Sequence, residues 1–314
     1  MLLKRKPHLY WGRVVFTNLF KIDLNEYNDQ IQWIISEGCM TTSQLAIGVF
    51  DSGMGGLTVL RALRENLPHE SFIYLGDTAR LPYGTKSQNT VQQYAIQMAR
   101  LLVERRIKAL VIACNTATTA ALPYLQELLP DIPVLGVLSP GASAAVAATK
   151  NQRIAVLATE TTIAANAYQQ LIHSKLPNVA IHARACSVLV ALAEEGMVDN
   201  AVAREALQHY LSDIADEDTV LLGCTHFPVF KPLLSTLLPA GVSVVDSADA
   251  TASALRQLLE EKALLTHSKA SGGARYLVTD SVKRFQSVGE IFLGAPLLAS
   301  DIELVDVQLN KSGG

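Results

Sequence analysis

The sequence predicts an α/β protein of two similar lobes, each a Rossmann-like or flavodoxin-like parallel sheet, related by pseudo-twofold symmetry with the active site in the cleft between them. Three observations support this fold class. Short apolar runs alternate with longer helical patterns from residue 45 onward, as in parallel strands joined by crossover helices. The runs are apolar throughout, as in strands covered on both faces. A strand that ends at a cysteine occurs twice.

The elements can be assigned in order along the chain. The helical pattern is clearest at residues 91–106, where apolar side chains recur at positions 91, 94, 95, 98, 101 and 102. Ser139 and Pro140 predict the N-cap and the first residue of a later helix. The candidate strands are the apolar runs at 45–50, 71–76, 108–113, 132–137, 153–158, 179–183, 219–223 and 242–246.

An internal repeat relates the two halves of this pattern. Cys114 lies 63 residues after Asp51, which follows the first run, and Cys224 lies 66 residues after Ala158, which ends the corresponding run. Ligands of open parallel sheets bind beyond the carboxyl ends of the strands. We therefore expect a single cleft with one thiol on each side.

The domain organisation follows from the repeat. Residues 1–40 lack the strand and helix rhythm, although they hold both tryptophans, and are predicted to be an N-terminal extension that is accessory or non-essential. A truncated chain that starts at Met40 would decide between these two roles. Residues 41–137 plus 247–314 are predicted to form the first lobe, and residues 138–246 the second.

Composition excludes several classes of protein. The 314 residues carry a net charge of -3 with dispersed Lys and Arg, so nucleic acid is not expected as a primary partner. No window reaches the roughly 18 apolar residues of a membrane span, and charges interrupt any N-terminal secretory segment. We expect a cytoplasmic protein that does not insert into a membrane.

The cysteines are the first candidates for chemistry. The four cysteines show no CxxC spacing, so neither a metal site nor a disulfide framework is predicted. Cys114 and Cys224 each precede a helical pattern, and a helix N-terminus favours a thiolate and lowers its pKa. One such cysteine is more often a small buried hydrophobic residue. The matched pair favours a function, whereas Cys39 and Cys186 have no comparable polar neighbours.

Other polar residues lie in the loops that follow the strands. "DSGMGG" at 51–56 is a turn or an anion-binding loop, and "LPYGTKS" at 81–87 carries Tyr83 in a loop that could be only a surface lid. Glu194 and Glu195 end a helix, where paired carboxylates are usually solvated. His226 is either a core histidine or a base that assists Cys224.

Four motifs, taken in order, resemble the glutamate racemases of the aspartate/glutamate racemase superfamily. They are "IGVFDSGMGGLTVL", "GDTARLPYG", "ACNTATTAAL" and "GCTHFP", and the resemblance covers about residues 45–310. It implies a cofactor-independent, metal-free isomerase that converts L-glutamate to D-glutamate for peptidoglycan biosynthesis. Inversion of a stereocentre by proton transfer requires a base on one face and an acid on the other.

The resemblance also implies roles for individual residues. Cys114 would take the α-proton from the D isomer and Cys224 from the L isomer, with Asp51 and His226 assisting the thiols. Glu194 matches the acidic residue of the second lobe, and Glu195 is a neighbour that could be confused with it. The residues that match substrate contacts are Asp51, Ser52, Tyr83, Gly84, Asn115, Thr116, Thr225 and His226.

Several alternatives remain open at this point. Aspartate racemase differs by one methylene in its substrate. A non-catalytic binder of carboxylates, a redox protein with a Cys114–Cys224 disulfide and a metal-dependent enzyme are the others. The implied partners are L- and D-glutamate and, in some family members, a cell-wall precursor that acts as an activator. The implied oligomeric state is a monomer or a homodimer.

Overall fold

The computed structural model describes residues 41–307, so the predicted extension lies outside the described residues. Residues Thr42–Val307 form one compact unit that contains two parallel sheets. Within this part of the chain, no helix combines the length and apolar character needed to cross a membrane.

The first sheet has six strands in the order β10-β9-β2-β1-β3-β4, and the second has four in the order β6-β5-β7-β8. All pairings are parallel. The strands are β1 (Ala46–Asp51), β2 (Phe72–Gly76), β3 (Ile107–Ile112), β4 (Val134–Gly136), β5 (Arg153–Ala158), β6 (Ala180–Ala185), β7 (Thr219–Gly223), β8 (Ser243–Asp246), β9 (Ala274–Val278) and β10 (Ile302–Leu304).

Helices connect the strands of both sheets. They are α1 (Leu57–Asn66), α2 (Gln88–Glu104), α3 (Asn115–Leu128), α4 (Leu138–Ala148), α5 (Glu160–Ala164), α6 (Ala167–Lys175), α7 (Val188–Glu194), α8 (Ala201–Leu211), α9 (Lys231–Leu237), α10 (Ala248–Glu261) and α11 (Val282–Leu293). Short 3₁₀ helices at Thr42–Gln44, Tyr83–Thr85, Phe227–Phe230 and Ala299–Asp301 complete the described elements.

The strand orders confirm the two-lobe α/β fold and the internal repeat. The order β2-β1-β3-β4 of the first sheet recurs as β6-β5-β7-β8 in the second. In each sheet, the second strand of the repeat (β2 or β6) lies on one side of the first strand (β1 or β5), and the third strand (β3 or β7) lies on its other side. The crevice at such a reversal is the usual ligand site of an open parallel sheet. Cys114 follows β3 and Cys224 follows β7, so both lie beside this reversal.

One apolar cluster contains strand residues from both sheets, including Val49 and Val111 of the first and Leu157 and Leu222 of the second. Helix α10 packs against both α1 and α4 and so adds a further link between the halves. The division into residues 41–137 plus 247–314 and residues 138–246 stays a proposal, supported by which strands share a sheet.

Three local predictions differ from the structure. β9 and β10 were not predicted, because β9 begins with exposed residues and β10 is a three-residue edge strand. Helix α4 begins at Leu138, so Ser139 lies inside it and is not its cap. Cys224 does not directly precede an α-helix, because the 3₁₀ turn Phe227–Phe230 comes before α9.

Candidate active site

The end of β1 and the loop after β7 meet at Asp51. Its Oδ2 accepts a hydrogen bond from the Gly53 N–H at 3.0 Å, and its Oδ1 accepts one from the Thr225 hydroxyl at 3.3 Å. Burial raises the pKa of the Asp51 carboxyl, although the charge on His226 opposes this shift. The bond to Thr225 joins the loop of one sheet to the loop of the other.

The glycines of "DSGMGG" permit this close approach. A Cβ on Gly55 would lie 2.4 Å from Nδ1 of His226 and 2.6 Å from the Thr225 hydroxyl oxygen. Such distances do not occur between real Cβ atoms and their neighbours. The "CTHFP" loop can therefore pack at this position because Gly55 has no side chain. This is a second reason for a glycine here, in addition to the turn that the sequence predicts.

Cys114 is the N-cap of α3 and is almost completely buried. Its Sγ accepts a hydrogen bond from the Ala117 N–H at 3.4 Å. Burial and the nearby Asp51 raise the pKa of the thiol to about 12, although hydrogen bonds from Ala117 and Ser52 lower it. The Ala117 N–H at the helix N-terminus does lower this pKa, but desolvation outweighs it, so the net shift is opposite to the lowering that the sequence predicts. The charge on Cys224 also raises it, so the two thiols lie within electrostatic reach of each other.

A buried relay of three side chains leads away from Cys224. Its Sγ lies 3.8 Å from Nδ1 of His226, and Nε2 of the same ring lies 2.7 Å from Oε1 of Glu194. Burial alone would lower the pKa of His226, but its interactions with Cys224 and Glu194 raise that pKa well above the ordinary value. These two interactions therefore favour the protonated form of His226, beside the second thiol.

The structure distinguishes the two adjacent glutamates. The Glu194 side chain is 6% exposed and contacts His226, whereas the Glu195 side chain is 63% exposed and pairs with Arg284 at 2.9 Å. The second oxygen of Glu194, Oε2, has no hydrogen-bond partner among the described residues. Of the pair, Glu194 is the residue that is buried against His226.

Tyr83 and Gly84 lie on the side of the first lobe that meets the second. Tyr83 is buried and donates a hydrogen bond to Asp77, so it is not a surface lid. Burial and the Asp77 charge raise the pKa of Tyr83 well above its ordinary value. Gly84 packs so closely on Thr159 that a Cβ would lie 2.6 Å from the Cβ of that threonine.

The first two residues of α3 make different contacts. Thr116 exchanges a hydrogen bond of 2.9 Å with the hydroxyl of Thr159. Asn115 accepts a hydrogen bond from the Tyr168 hydroxyl through Oδ1 at 2.6 Å, while its Nδ2 has no hydrogen-bond partner in the part of the chain described. Asn115 is 2% exposed, so this unpaired donor is shielded from bulk water.

Sequence reasoning missed Thr159, Tyr168 and Asp77. Thr159 directly follows β5, the strand that corresponds to β1, and so occupies a position like that of Ser52. The internal repeat could have indicated Thr159, because the two halves align up to Ala158, the residue before it. No sequence signal pointed to Tyr168, which lies inside a helix of the other lobe.

The described cysteines Cys114, Cys186 and Cys224 are free thiols, so the disulfide of the redox alternative is not present. Among residues 41–307, no group of three or more His, Cys, Asp or Glu side chains is arranged to hold a metal ion. Four buried side-chain atoms of the described residues have no hydrogen-bond partner, and two of them, Oε2 of Glu194 and Nδ2 of Asn115, belong to candidate site residues. A carboxylate oxygen and an amide donor are groups that can form hydrogen bonds with a small polar molecule.

Comparison with known proteins agrees with this geometry. The glutamate racemase of Geobacter metallireducens is 46% identical over 268 residues, which is 85% of this chain and 98% of that protein. The crystal structure of the Francisella tularensis glutamate racemase in complex with D-glutamate has a TM-score of 0.78 at 38% identity and covers 84% of this chain and 98% of its own.

A third relative is the Escherichia coli glutamate racemase, solved with L-glutamate and the activator UDP-MurNAc-ala. It has a TM-score of 0.68 at 32% identity and covers 79% of this chain and 95% of its own. The sequence pattern of the Asp/Glu/Hydantoin racemase family matches residues 47–255 and therefore includes both cysteines of the cleft. The chain belongs to the Asp/Glu/Hydantoin racemase family.

Proposed function

We propose that this protein is a cofactor-independent glutamate racemase that converts L-glutamate to D-glutamate for peptidoglycan biosynthesis. The observation that carries the proposal is the pair of buried thiols, Cys114 and Cys224, at matching strand ends of two sheets and within electrostatic reach of each other. The membership of the chain in a racemase family and the names of its relatives support it.

The proposed reaction is a 1,1-proton transfer between the two cysteines. With L-glutamate, the Cys224 thiolate accepts the α-proton, so a C–H bond breaks and an S–H bond forms. Cys114 then donates its proton to the opposite face of the carbon. The pKa of about 12 keeps Cys114 protonated, as a donor must be. With D-glutamate the two cysteines exchange roles.

The second thiol needs a neighbour that favours its charged form. His226, held as a cation by Glu194, is suited to stabilise a thiolate on Cys224. Asp51 would assist Cys114 differently, by accepting its proton. Burial raises the pKa of the Asp51 carboxyl and so already raises its affinity for a proton. These two residues and Glu194 complete the proposed catalytic group.

Binding of glutamate would use the short polar groups around the thiols. The unpaired Nδ2 of Asn115 is suited to donate to a substrate carboxylate, and Oε2 of Glu194 is a free buried acceptor. Hydrogen-bond donors in a cleft without bulk water would also stabilise the negative charge that develops at the α-carbon. The other proposed contacts are Ser52, Tyr83, Gly84, Thr116 and Thr225.

The remaining proposals concern the setting of the enzyme. We propose a cytoplasmic location, a monomer or homodimer, and regulation by a cell-wall precursor. The activator bound to the Escherichia coli relative supports the last of these. The resemblance supports the others.

The experiment is a racemisation assay on both enantiomers of glutamate and of aspartate, followed by chiral chromatography. We expect turnover of glutamate in both directions, no effect of a chelator, and no turnover by Cys114→Ser or Cys224→Ser proteins that remain folded, since a hydroxyl is a far weaker acid than a thiol. Faster turnover of aspartate, or activity in either serine variant, would contradict the proposal.

A further inference from the structure

Tyr168 lies on α6, in the half of the molecule that carries the second sheet, yet its hydroxyl reaches the first helical residue after Cys114. The tyrosine is fully buried and donates a 2.6 Å hydrogen bond to Oδ1 of Asn115. Burial raises the pKa of Tyr168, so the phenol keeps its proton and acts as a donor. The contact links residues that are 53 positions apart.

This hydrogen bond decides which end of the Asn115 amide is available. An asparagine amide has an acceptor oxygen and a donor nitrogen, and a rotation of half a turn exchanges them. The oxygen is occupied by Tyr168, while Nδ2 is buried and has no partner among residues 41–307. A buried donor without a partner costs free energy that a ligand acceptor can recover.

The ring of Tyr168 also packs against the backbone of its own half of the molecule. A Cβ on Gly223, the residue before Cys224, would lie only 2.7 Å from Cε2 of the ring. A Cβ on Gly141 would lie 2.9 Å from the hydroxyl oxygen. Tyr168 therefore contacts the neighbours of both cysteines, Asn115 after the first and Gly223 before the second.

We propose that Tyr168 is a positioning residue of the substrate site. Its hydroxyl holds the amide of Asn115 with the donor Nδ2 turned toward a carboxylate of the bound amino acid. Without the hydroxyl, the amide can rotate so that Oδ1 faces the carboxylate of the substrate. The two oxygen groups then repel each other, which weakens binding. The inference rests on the proposed function, because it assigns Asn115 to substrate binding.

The test is the Tyr168→Phe variant, which removes only the hydroxyl and keeps the ring that packs on Gly223. We expect KM to rise about 2- to 10-fold for both enantiomers, the range for loss of one hydrogen bond, with kcat nearly unchanged. Tyr276→Phe is the matched control, since Tyr276 is also buried and, among residues 41–307, its hydroxyl accepts a hydrogen bond from Arg64. Its kinetics should equal those of the wild type.

A double-mutant cycle separates positioning from a general structural effect. In an Asn115→Ala background, Tyr168→Phe should cause no further rise in KM, because the amide through which it acts is absent. An equal rise in both backgrounds, or no rise in the single variant, would overturn the proposal.

A spectroscopic readout does not depend on racemase activity. The side-chain amide signals of Asn115 in a ¹⁵N NMR spectrum, assigned with Asn115→Ala, should be sharp in the wild type and in Tyr276→Phe but shifted or broadened in Tyr168→Phe. Unchanged signals would overturn the positioning role. If the signals change while the wild type fails to racemise glutamate, the hold on the amide stands and the proposed function falls.

Discussion

Nε2 of His226 lies 2.7 Å from Oε1 of Glu194, and both side chains are buried beside Cys224. The carboxylate thus holds an imidazole whose other nitrogen contacts a thiol at 3.8 Å. The interactions of the ring with Cys224 and Glu194 raise the pKa of His226 and so favour its protonated form. The second cysteine therefore has an electrostatic environment quite different from that of Cys114, whose pKa is raised by burial and by the carboxyl of Asp51.

This relay predicts different outcomes for two adjacent glutamates. Glu194→Gln removes the charge that holds His226 and should lower kcat by about 10- to 100-fold, the range for a buried hydrogen bond to a charged group. Glu195→Gln is the matched control, because the Glu195 side chain is exposed and pairs with Arg284 on the surface. It should remain within about 2-fold of the wild type, as exposed ion pairs contribute little. Similar losses in both variants would show that Glu194 has no special role.

The raised pKa of His226 predicts how stability changes with pH. A histidine whose pKa is higher in the folded state stabilises the fold fully below the unfolded value of about 6.5, and loses this contribution as pH rises toward the folded-state pKa. The wild type should therefore lose stability relative to His226→Gln above pH 6.5, by up to about 1.4 kcal/mol per pH unit. Urea unfolding of both proteins between pH 5.5 and 9 measures the difference. A constant difference, or one of the opposite sign, would contradict the assignment.

The high pKa of Cys114 predicts slow alkylation with a particular pH dependence. Only the thiolate reacts with iodoacetamide, so the rate at Cys114 should rise about tenfold per pH unit from pH 8 to pH 10 without levelling, since its pKa is about 12. Mass spectrometry of the peptide that contains Cys114 gives the rate. A plateau near pH 8.5, the range of an ordinary thiol, would contradict burial as the dominant influence on this cysteine.

Close packing at Gly55 predicts that a single methyl group disrupts the site. Gly55→Ala would place a Cβ against His226 and Thr225, so we expect at least a tenfold loss of kcat/KM and a fall of about 1–3 kcal/mol in the free energy of unfolding. Gly273→Ala is the control, because a Cβ there meets nothing within 4 Å. Steady-state kinetics and urea unfolding give both quantities. Wild-type behaviour of the Gly55 variant would contradict the packing argument.

Much of the fold could be predicted because it depends on local pattern. β7 occupies the predicted residues Thr219–Gly223, since a run of apolar residues at a buried strand has no competing pattern. The repeat also predicts both cysteines at strand ends. β9 and β10 could not be predicted in this way, because they contain exposed residues and lack a continuous apolar run.

The finer features of the site depend on contacts between distant segments. The Tyr168 to Asn115 hydrogen bond joins two helices of different lobes, so neither sequence segment reveals it. The pKa of Cys114 depends on burial by residues brought together only in the folded chain, whereas the local sequence indicated only a helix N-terminus. Glu194 and Glu195 have the same chemistry, and only the turn that ends α7 decides which one is buried.

The central claim is that two thiols act on opposite faces of one carbon, and solvent deuterium tests it most directly. The wild type is incubated with L-glutamate in heavy water, and both enantiomers are recovered at low conversion for mass spectrometry. Because one cysteine removes the proton and the other delivers a solvent-derived one, the D-glutamate should carry one deuterium at the α-carbon while the remaining L-glutamate stays unlabelled. Label that enters L-glutamate as fast as D-glutamate, or glutamate recovered without any label, would contradict the account.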